Sequence, residues 1–120
     1  MSRLTLTPEE LLAGANMTFE LFIPPDILQP GRRDMPEDVS HDKDLMVQLR
    51  PLTIGTFQLI MKAAKEDAGL IPLLMIKEAL IEPLLSLDQL RQLHLGLIEF
   101  LVANIRRISG LTQKKKSMLM

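Results

Sequence analysis

Apolar and polar side chains alternate along two short segments of the chain, residues 17–23 and residues 45–49. A period of two is typical of a strand that is buried on one face. Pro24 follows the first segment and Pro51 comes soon after the second, and proline cannot continue a central strand. We expect two strands that pair antiparallel. Because a two-stranded ribbon is only marginally stable alone, we expect it to lie against helices.

Helical spacing replaces this alternation in residues 53–110, where three helices are expected. Thr53 can cap the first helix, whose apolar side chains recur every three to four residues from Phe57 onward. The second helix, residues 70–82, is apolar nearly all round and accepts Pro72 only in its first turn. It is expected either at the centre of the core or at an interface.

The third helix, residues 86–110, is the longest, and its sequence contains signals for both of its ends. Ser86 and Gln89 form a capping-box pattern, and Gly110 can take the left-handed conformation that closes a helix. At 1.5 Å per residue the helix is expected to span about 35 Å. Its apolar surface exceeds what a small core can bury, which predicts self-association or a partner helix. The polar side is one narrow stripe of six residues, Asp88, Gln92, Gly96, Glu99, Ala103 and Arg107.

The remaining segments surround these elements. Residues 1–16 are expected to form an N-terminal arm with one short helix that Thr7 caps. Residues 24–44 contain many acids and few apolar side chains, which predicts a flexible acidic loop, and residues 111–120 predict a disordered basic tail. The expected fold is therefore one α+β domain, mainly α with a small β element, in which a three-helix C-terminal bundle packs on a two-stranded antiparallel ribbon.

The composition argues against several classes of partner. The chain has no cysteine, which excludes a disulfide, a thiolate zinc site and a cysteine nucleophile. Its net charge is −1, and it has four Phe but no Trp or Tyr, so it lacks both a basic surface and a stacking platform for nucleic acid. No apolar run reaches the ~18 residues of a membrane span. Glu9 and Glu10 interrupt any signal-peptide core, so we expect a cytoplasmic protein that binds neither nucleic acid nor membrane.

Residues that could carry out chemistry are few. The sequence contains no glycine-rich phosphate loop and no nucleophile-elbow serine. His41 lies among acids whose spacing lacks the calcium-binding EF-hand pattern. His94 has no acid three or four residues away, and we expect it at the edge of the core or at an interface. We therefore assign no catalytic, metal or cofactor-binding residue and expect no enzyme activity.

Two motifs resemble a known family. Residues 47–55, VQLRPLTIG, place an apolar strand that ends in Leu-Arg before a Leu-Thr-x-Gly sequence that opens a helix. Pro83 precedes a capped helix, and ISGL at residues 108–111 closes it. In these features residues 46–111 resemble the tail assembly chaperones of tailed phages and of phage-tail-like contractile injection systems. Thr56 stands where many members of that group carry an acid.

This resemblance implies a non-enzymatic protein that binds the long apolar tape-measure protein or another tail protein, keeps it soluble and assists tail-tube assembly without a cofactor. We expect an amphipathic partner helix to bind in a groove between the second and third helices. The side chains expected to contact a partner are Phe57, Met61, Leu90, Leu97, Leu101, Val102 and Ile105. The alternative is a permanent structural subunit of a tail or baseplate that docks by helix packing or by strand addition at residues 45–49.

Overall fold

A computed structural model describes residues 5–30 and 45–111 of the chain. Within these residues the fold is α+β, as predicted, with helices and one antiparallel sheet. The helices are α1 (Pro8–Leu12), α2 (Pro25–Leu28), α3 (Ile54–Ala63), α4 (Leu70–Ala79), α5 (Leu87–Arg91) and α6 (Leu95–Ile108). The strands are β1 (Phe19–Phe22), β2 (Met46–Leu49) and β3 (Leu80–Glu82), and a 3-10 turn, Ala13–Asn16, follows α1.

The sheet has the order β1-β2-β3, so β2 lies in the middle. β1 and β2 pair antiparallel with Phe19 opposite Leu49, which confirms the predicted pairing of the two alternating segments. The prediction of only two strands is wrong, because β3 pairs with the other edge of β2 at Gln48 and Leu49. The apolar run of residues 70–82 predicts helix to its end, but a residue that precedes a proline, as Glu82 precedes Pro83, avoids the helical conformation. Pro83 thus disfavours helix at Glu82, and the chain leaves the helix earlier, at residue 80, because residues 80–82 pair with β2.

The N-terminal caps lie where the sequence predicts them. The hydroxyl oxygens of Thr7, Thr53 and Ser86 each accept the backbone N–H three residues on, at 3.2 Å in all three cases. The side chains of Glu10 and Gln89 accept the N–H of their own cap residues at 2.8 and 2.9 Å, which completes capping boxes at α1 and α5. These caps depend only on neighbours in sequence, which is why the pattern alone identifies them.

Helix α4 is the central helix of the core and packs against α3, α5 and α6. This confirms one of the two predicted places for the apolar second helix. Its exposed polar edge is formed by Lys77 and Glu78. The side chains of the buried core come from β2, β3 and helices α3 to α6, together with the residue that follows β1: Ile23, Leu49, Ile60, Met75, Ile76, Ala79, Leu80, Leu90, Leu97, Leu101 and Ile105.

The third predicted helix is two helices, because α5 and α6 are separated by residues 92–94. The prediction of one continuous helix is therefore wrong, and α6 alone spans about 21 Å. His94 causes the break: its backbone is extended, with φ −74° and ψ 158°, and its Nδ1 accepts the N–H of Leu97 at 3.2 Å. Its Nε2 lies 3.3 Å from the carbonyl oxygen of Leu28, the last residue of α2. A neutral imidazole that carries its proton on Nε2 satisfies both bonds, so this ring caps α6 and ties it to α2.

The C-terminal end of α6 is closed by Gly110, whose φ of +90° lies in the left-handed region that favours glycine. The N–H of Gly110 donates to the carbonyl of Arg107 at 3.1 Å and the N–H of Leu111 to that of Arg106 at 2.7 Å, which together form a Schellman motif. The predicted role of Gly110 is confirmed. Beside it, the hydroxyl oxygen of Ser109 accepts the N–H of Leu52 at 2.8 Å. The end of α6 is therefore fixed to the segment that leads into α3.

The outer segments agree with the prediction in part. Helix α1 has no buried residue, as expected of an arm. The first part of the predicted loop 24–44 contains α2, which contacts α6, so that part of the loop prediction is wrong. The rest of the predicted acidic loop, residues 31–44 with His41, and the predicted tail after Leu111 lie outside the described residues.

Candidate partner-binding surface

An apolar groove lies between the start of α4 and the exposed side of α6, and we call it the α4–α6 groove. Its volume is about 390 Å³. It lies between the second and third predicted helices, which is where the sequence predicts a binding groove. Its lining residues are Pro72, Leu95, Ile98, Glu99, Val102, Ala103 and Arg106.

The apolar pattern of α6 explains how the groove forms. Leu97, Leu101 and Ile105 recur every four residues and are 6%, 3% and 0% exposed, because this face packs on the core. The groove face is rotated from it by roughly a third of a turn and contains Leu95, Ile98 and Val102, at spacings of three and four residues. Leu95 is 79% exposed, whereas the other two are half-buried. The core face therefore fixes α6 in place, and the neighbouring apolar face stays open.

Two opposite charges lie on the groove face of α6. Glu99 and Arg106 are seven residues apart, which places them on the same side of the helix and about 10 Å apart along its axis. Neither side chain makes a hydrogen bond or an ion pair with another residue in the described part of the chain. As far as the described residues are concerned, both charged groups can therefore interact with a bound molecule.

A second groove lies on the other side of α4, between α4 and α3, and has a volume of about 320 Å³. Leu59 on α3 forms one wall and is 67% exposed, and Leu74 on α4 lines the other wall. Thr56, Ile60, Ala63 and Glu78 complete its lining. The second groove thus shares the central helix with the α4–α6 groove but uses different side chains.

Four of the seven side chains predicted to contact a partner lie in the core. Leu90 and Ile105 are 0% exposed, Leu101 is 3% exposed and Leu97 is 6% exposed. The prediction that they contact a partner is wrong, because they pack within the chain itself. The reason is that α6 packs on the central helix α4 through this side, so the apolar side expected to contact a partner is the one that faces the core. Val102 is the member of the seven that lines the α4–α6 groove.

The remaining two predicted residues, Phe57 and Met61, lie on α3 but line neither groove. Phe57 is half-buried, and Met61 is 43% exposed. They occupy one flank of α3, whereas Leu59 and Ala63 occupy the opposite flank, toward α4. The structure therefore does not bring Phe57 and Met61 together with Val102.

The sequence prediction missed the apolar residues of the groove walls, Leu95, Ile98 and Leu59. The signal for the first two is present: with α6 begun at residue 95, Leu95, Ile98 and Val102 form a stripe directly beside the polar one. Leu59 has no comparable signal, because it is an isolated leucine among polar neighbours on one side of α3.

The sheet edge proposed for strand addition is not free. Residues 45–49 contain β2, which pairs with β1 along its whole length and with β3 at Gln48 and Leu49, so that part of the prediction is wrong. The outer strands are β1 and β3. On the exposed face of β1, Phe22 lies opposite Met46, and the two side chains are 48% and 45% exposed.

The described residues offer little chemistry beyond apolar contact. In residues 5–30 and 45–111, no three His, Cys, Asp or Glu side chains are grouped so that they could hold a metal ion. His94, the histidine in this part of the chain, uses both ring nitrogens to cap α6 and to contact Leu28. Over the same residues, no helix has the length and apolar character to cross a lipid bilayer.

Comparisons with protein-family models, with curated proteins and with solved structures gave no match to this chain.

Proposed function

We propose that this protein is a non-enzymatic assembly chaperone or accessory protein that binds an apolar helical segment of another protein in the α4–α6 groove. The proposed partner is a tape-measure-type protein or another protein of a phage tail or a phage-tail-like contractile injection system. Binding keeps the partner's apolar helix out of water until the tail tube assembles around it. The observation that supports this proposal best is the α4–α6 groove itself, which is apolar and open.

The shape and chemistry of the groove favour a helix as its ligand. The apolar side chains of α6 at residues 95, 98 and 102 follow the spacing at which helices interdigitate. Pro72 forms the opposite wall at the first turn of α4, where it lacks an N–H that could bind an extended strand. The charges of Glu99 and Arg106 on the same face can fix the direction of a bound helix.

The resemblance of residues 46–111 to tail assembly chaperones supports the tail-assembly setting. The two motifs on which it rests lie at opposite ends of this segment and meet in the fold, since Leu52 in the first donates to Ser109 in the second at 2.8 Å. Because this hydrogen bond joins the two motifs, their presence together in one chain is consistent with the resemblance.

Co-expression tests the proposal with a matched pair of variants. The chain is produced together with a fragment of a tape-measure protein, and the soluble fraction of that fragment is measured. Leu95 and Leu84 are each 79% exposed, but Leu95 lines the groove and Leu84 lines neither groove. We expect Leu95→Asp to abolish solubilisation and Leu84→Asp to preserve it. Because an acid in the first turn of a helix is favourable, Leu95→Asp should not unfold α6.

Two outcomes would contradict the proposal. The first is a tape-measure fragment that stays insoluble with the wild-type chain. The second is equal loss of solubilisation for both leucine variants, which would mean that any added charge has this effect and that the groove is not involved.

A second candidate is a permanent structural subunit of a tail or baseplate. The observation that favours it is the outer position of β1, whose outer edge pairs with no strand among residues 5–30 and 45–111, next to the exposed pair Phe22 and Met46. Strand addition at β1, rather than at residues 45–49, would then join the protein to its neighbours. Quantitative analysis of purified particles separates the two candidates, because a structural subunit is present at fixed stoichiometry and a chaperone is not.

A further inference from the structure

We propose that, before a partner binds, the α4–α6 groove is covered by α6 of a second copy of this chain, in an antiparallel dimer with two-fold symmetry. This inference rests on the groove used in the proposed function and adds to it a resting state of the protein. It is supported by the charges on α6, by the residues between them and by the exposure of Leu95.

The charges on α6 are complementary to themselves. In a two-fold antiparallel pair whose axis passes between Val102 and Ala103, Glu99 of each copy lies opposite Arg106 of the other, because the two residues are equally distant from that axis. In a parallel pair, Glu99 would instead face Glu99 of the other copy, and Arg106 would face Arg106. Both contacts would be repulsive. The pattern therefore favours the antiparallel arrangement and gives two ion pairs in each dimer. Both charged side chains are without a partner in the described part of the monomer.

The residues at the centre of the proposed contact allow two helices to approach closely. Ala103 is exposed and has a one-carbon side chain, and in the antiparallel pair it lies opposite Val102 of the other copy. Helices that meet at small residues come within about 8 Å of each other. At that distance the apolar side chains on either side, Ile98 and Leu95, also become covered. The contact thus removes from water the side chain of Leu95, which is 79% exposed in the monomer.

The dimer and the partner complex compete for the same surface. A helix of a tape-measure-type protein can enter the groove only when α6 of the second copy leaves it. The dimer therefore protects the apolar face of each chain from unspecific contacts, and its ion pairs are the part that rising salt weakens.

Charge exchange tests the dimer directly, by sedimentation of the full chain over a wide concentration range. Glu99→Arg and Arg106→Glu each replace two attractive pairs with two repulsive ones, and we expect the dimer dissociation constant to rise on the order of 10- to 100-fold in either variant. The E99R/R106E double variant restores both pairs and should dimerise as the wild type does. An equimolar mixture of the two single variants should form a heterodimer, since one chain then presents two cations and the other two anions.

A cross-linking experiment gives a second measurement that does not depend on charge. The chain has no cysteine, so Ala103→Cys introduces a single thiol close to the proposed axis. We expect a disulfide-linked dimer under mild oxidation, because Cα atoms of residues near the axis come within the ~4.4–6.8 Å that a disulfide spans. Leu84→Cys places a thiol at another exposed position, outside both grooves, and as the control it should remain unlinked.

The outcomes separate this inference from the proposed function. A wild-type chain that sediments as a monomer at every concentration, or single charge variants that dimerise as well as the wild type, would overturn the dimer. Binding of the tape-measure fragment by the wild-type chain, diluted until it sediments as a monomer, would support the proposed function independently of the dimer. A dimer that forms as described with a chain that never solubilises the fragment would support the inference and contradict the proposed function.

Discussion

Replacement of His94 tests the break between α5 and α6. The sign of the change in the free energy of unfolding distinguishes a cap at residue 94 from a continuous helix. In the structure the ring accepts the N–H of Leu97 at 3.2 Å and contacts the carbonyl of Leu28 at 3.3 Å, and His94→Ala removes both bonds. Loss of an N-cap costs about 1 kcal/mol. A neutral hydrogen bond near the long end of the normal range contributes about 0.5 kcal/mol. We therefore expect His94→Ala to lower the free energy of unfolding by about 1.5 kcal/mol.

A continuous helix across residues 92–94 predicts the opposite effect. Alanine is the best helix former and histidine one of the poorer ones, so His94→Ala in a helix interior would stabilise the protein by about 0.5 kcal/mol. His94→Asn separates the two bonds in the capped structure. Asparagine is as good a cap as any residue but is too short to reach Leu28. The free energy of unfolding of this variant should therefore fall only by the contribution of the bond to Leu28, about 0.5 kcal/mol.

Urea unfolding followed by far-ultraviolet circular dichroism measures these differences. Tryptophan and tyrosine fluorescence cannot be used, because the chain contains neither residue. The difference between wild type and His94→Ala should also lower the melting temperature by about 5 to 10 °C. A His94→Ala variant that is as stable as the wild type, or more stable, would refute the cap. Equal destabilisation by alanine and asparagine would show that the ring acts in some other way than as a cap.

Two further predictions concern the ends of helices. Ser109→Ala removes the acceptor of the half-buried Leu52 N–H, which lies 2.8 Å from the hydroxyl oxygen. In urea unfolding, this variant should show a free energy of unfolding that is lower by about 1 to 2 kcal/mol. An unchanged value would mean that water replaces the hydroxyl. Gly110→Ala should lower the free energy of unfolding by about 1 kcal/mol, because Gly110 has a φ of +90°. Gly55→Ala should raise it by about 0.5 kcal/mol, because a Cβ at that position approaches no atom of the surrounding residues closer than 3.9 Å. Thermal melts in which both variants shift in the same direction would contradict this.

The parts of the fold that could be predicted from the sequence are those that neighbouring residues determine. The caps at Thr53 and Ser86 and the closing glycine at Gly110 are satisfied by bonds to residues one turn away. The pairing of β1 with β2 follows from two alternating segments and their prolines. The central place of α4 follows from its lack of a polar face.

The parts that could not be predicted depend on distant residues. Leu80 leaves the helix because Leu49 and Gln48 offer a strand to pair with, and the local apolar run does not reveal this. His94 breaks the third helix while bonded to Leu28, which lies 66 residues earlier. Every residue from 87 to 108 is compatible with a helix, so the pattern by itself predicts one.

The error in the candidate surface concerns which side of α6 faces the core. The sequence indicates correctly that this region has more apolar positions than one helix face can bury, and that a groove lies between the second and third predicted helices. It does not indicate which of the two apolar sides of α6 faces the core, since that depends on how α6 packs against α4. The sequence therefore predicts that Leu97 and Leu101 contact a partner, whereas the structure buries both of them and places Leu95 and Ile98 in the groove.

The hydrogen bond between Leu52 and Ser109 also has a consequence for the connectivity of the chain. The two residues are 57 positions apart, yet a bond of 2.8 Å joins them. The polypeptide from 52 to 109 thus forms a closed loop that contains α3, α4, β3, α5 and α6. Because a single hydrogen bond closes this loop, fraying of the C-terminal end of α6 would also release the segment that leads into α3.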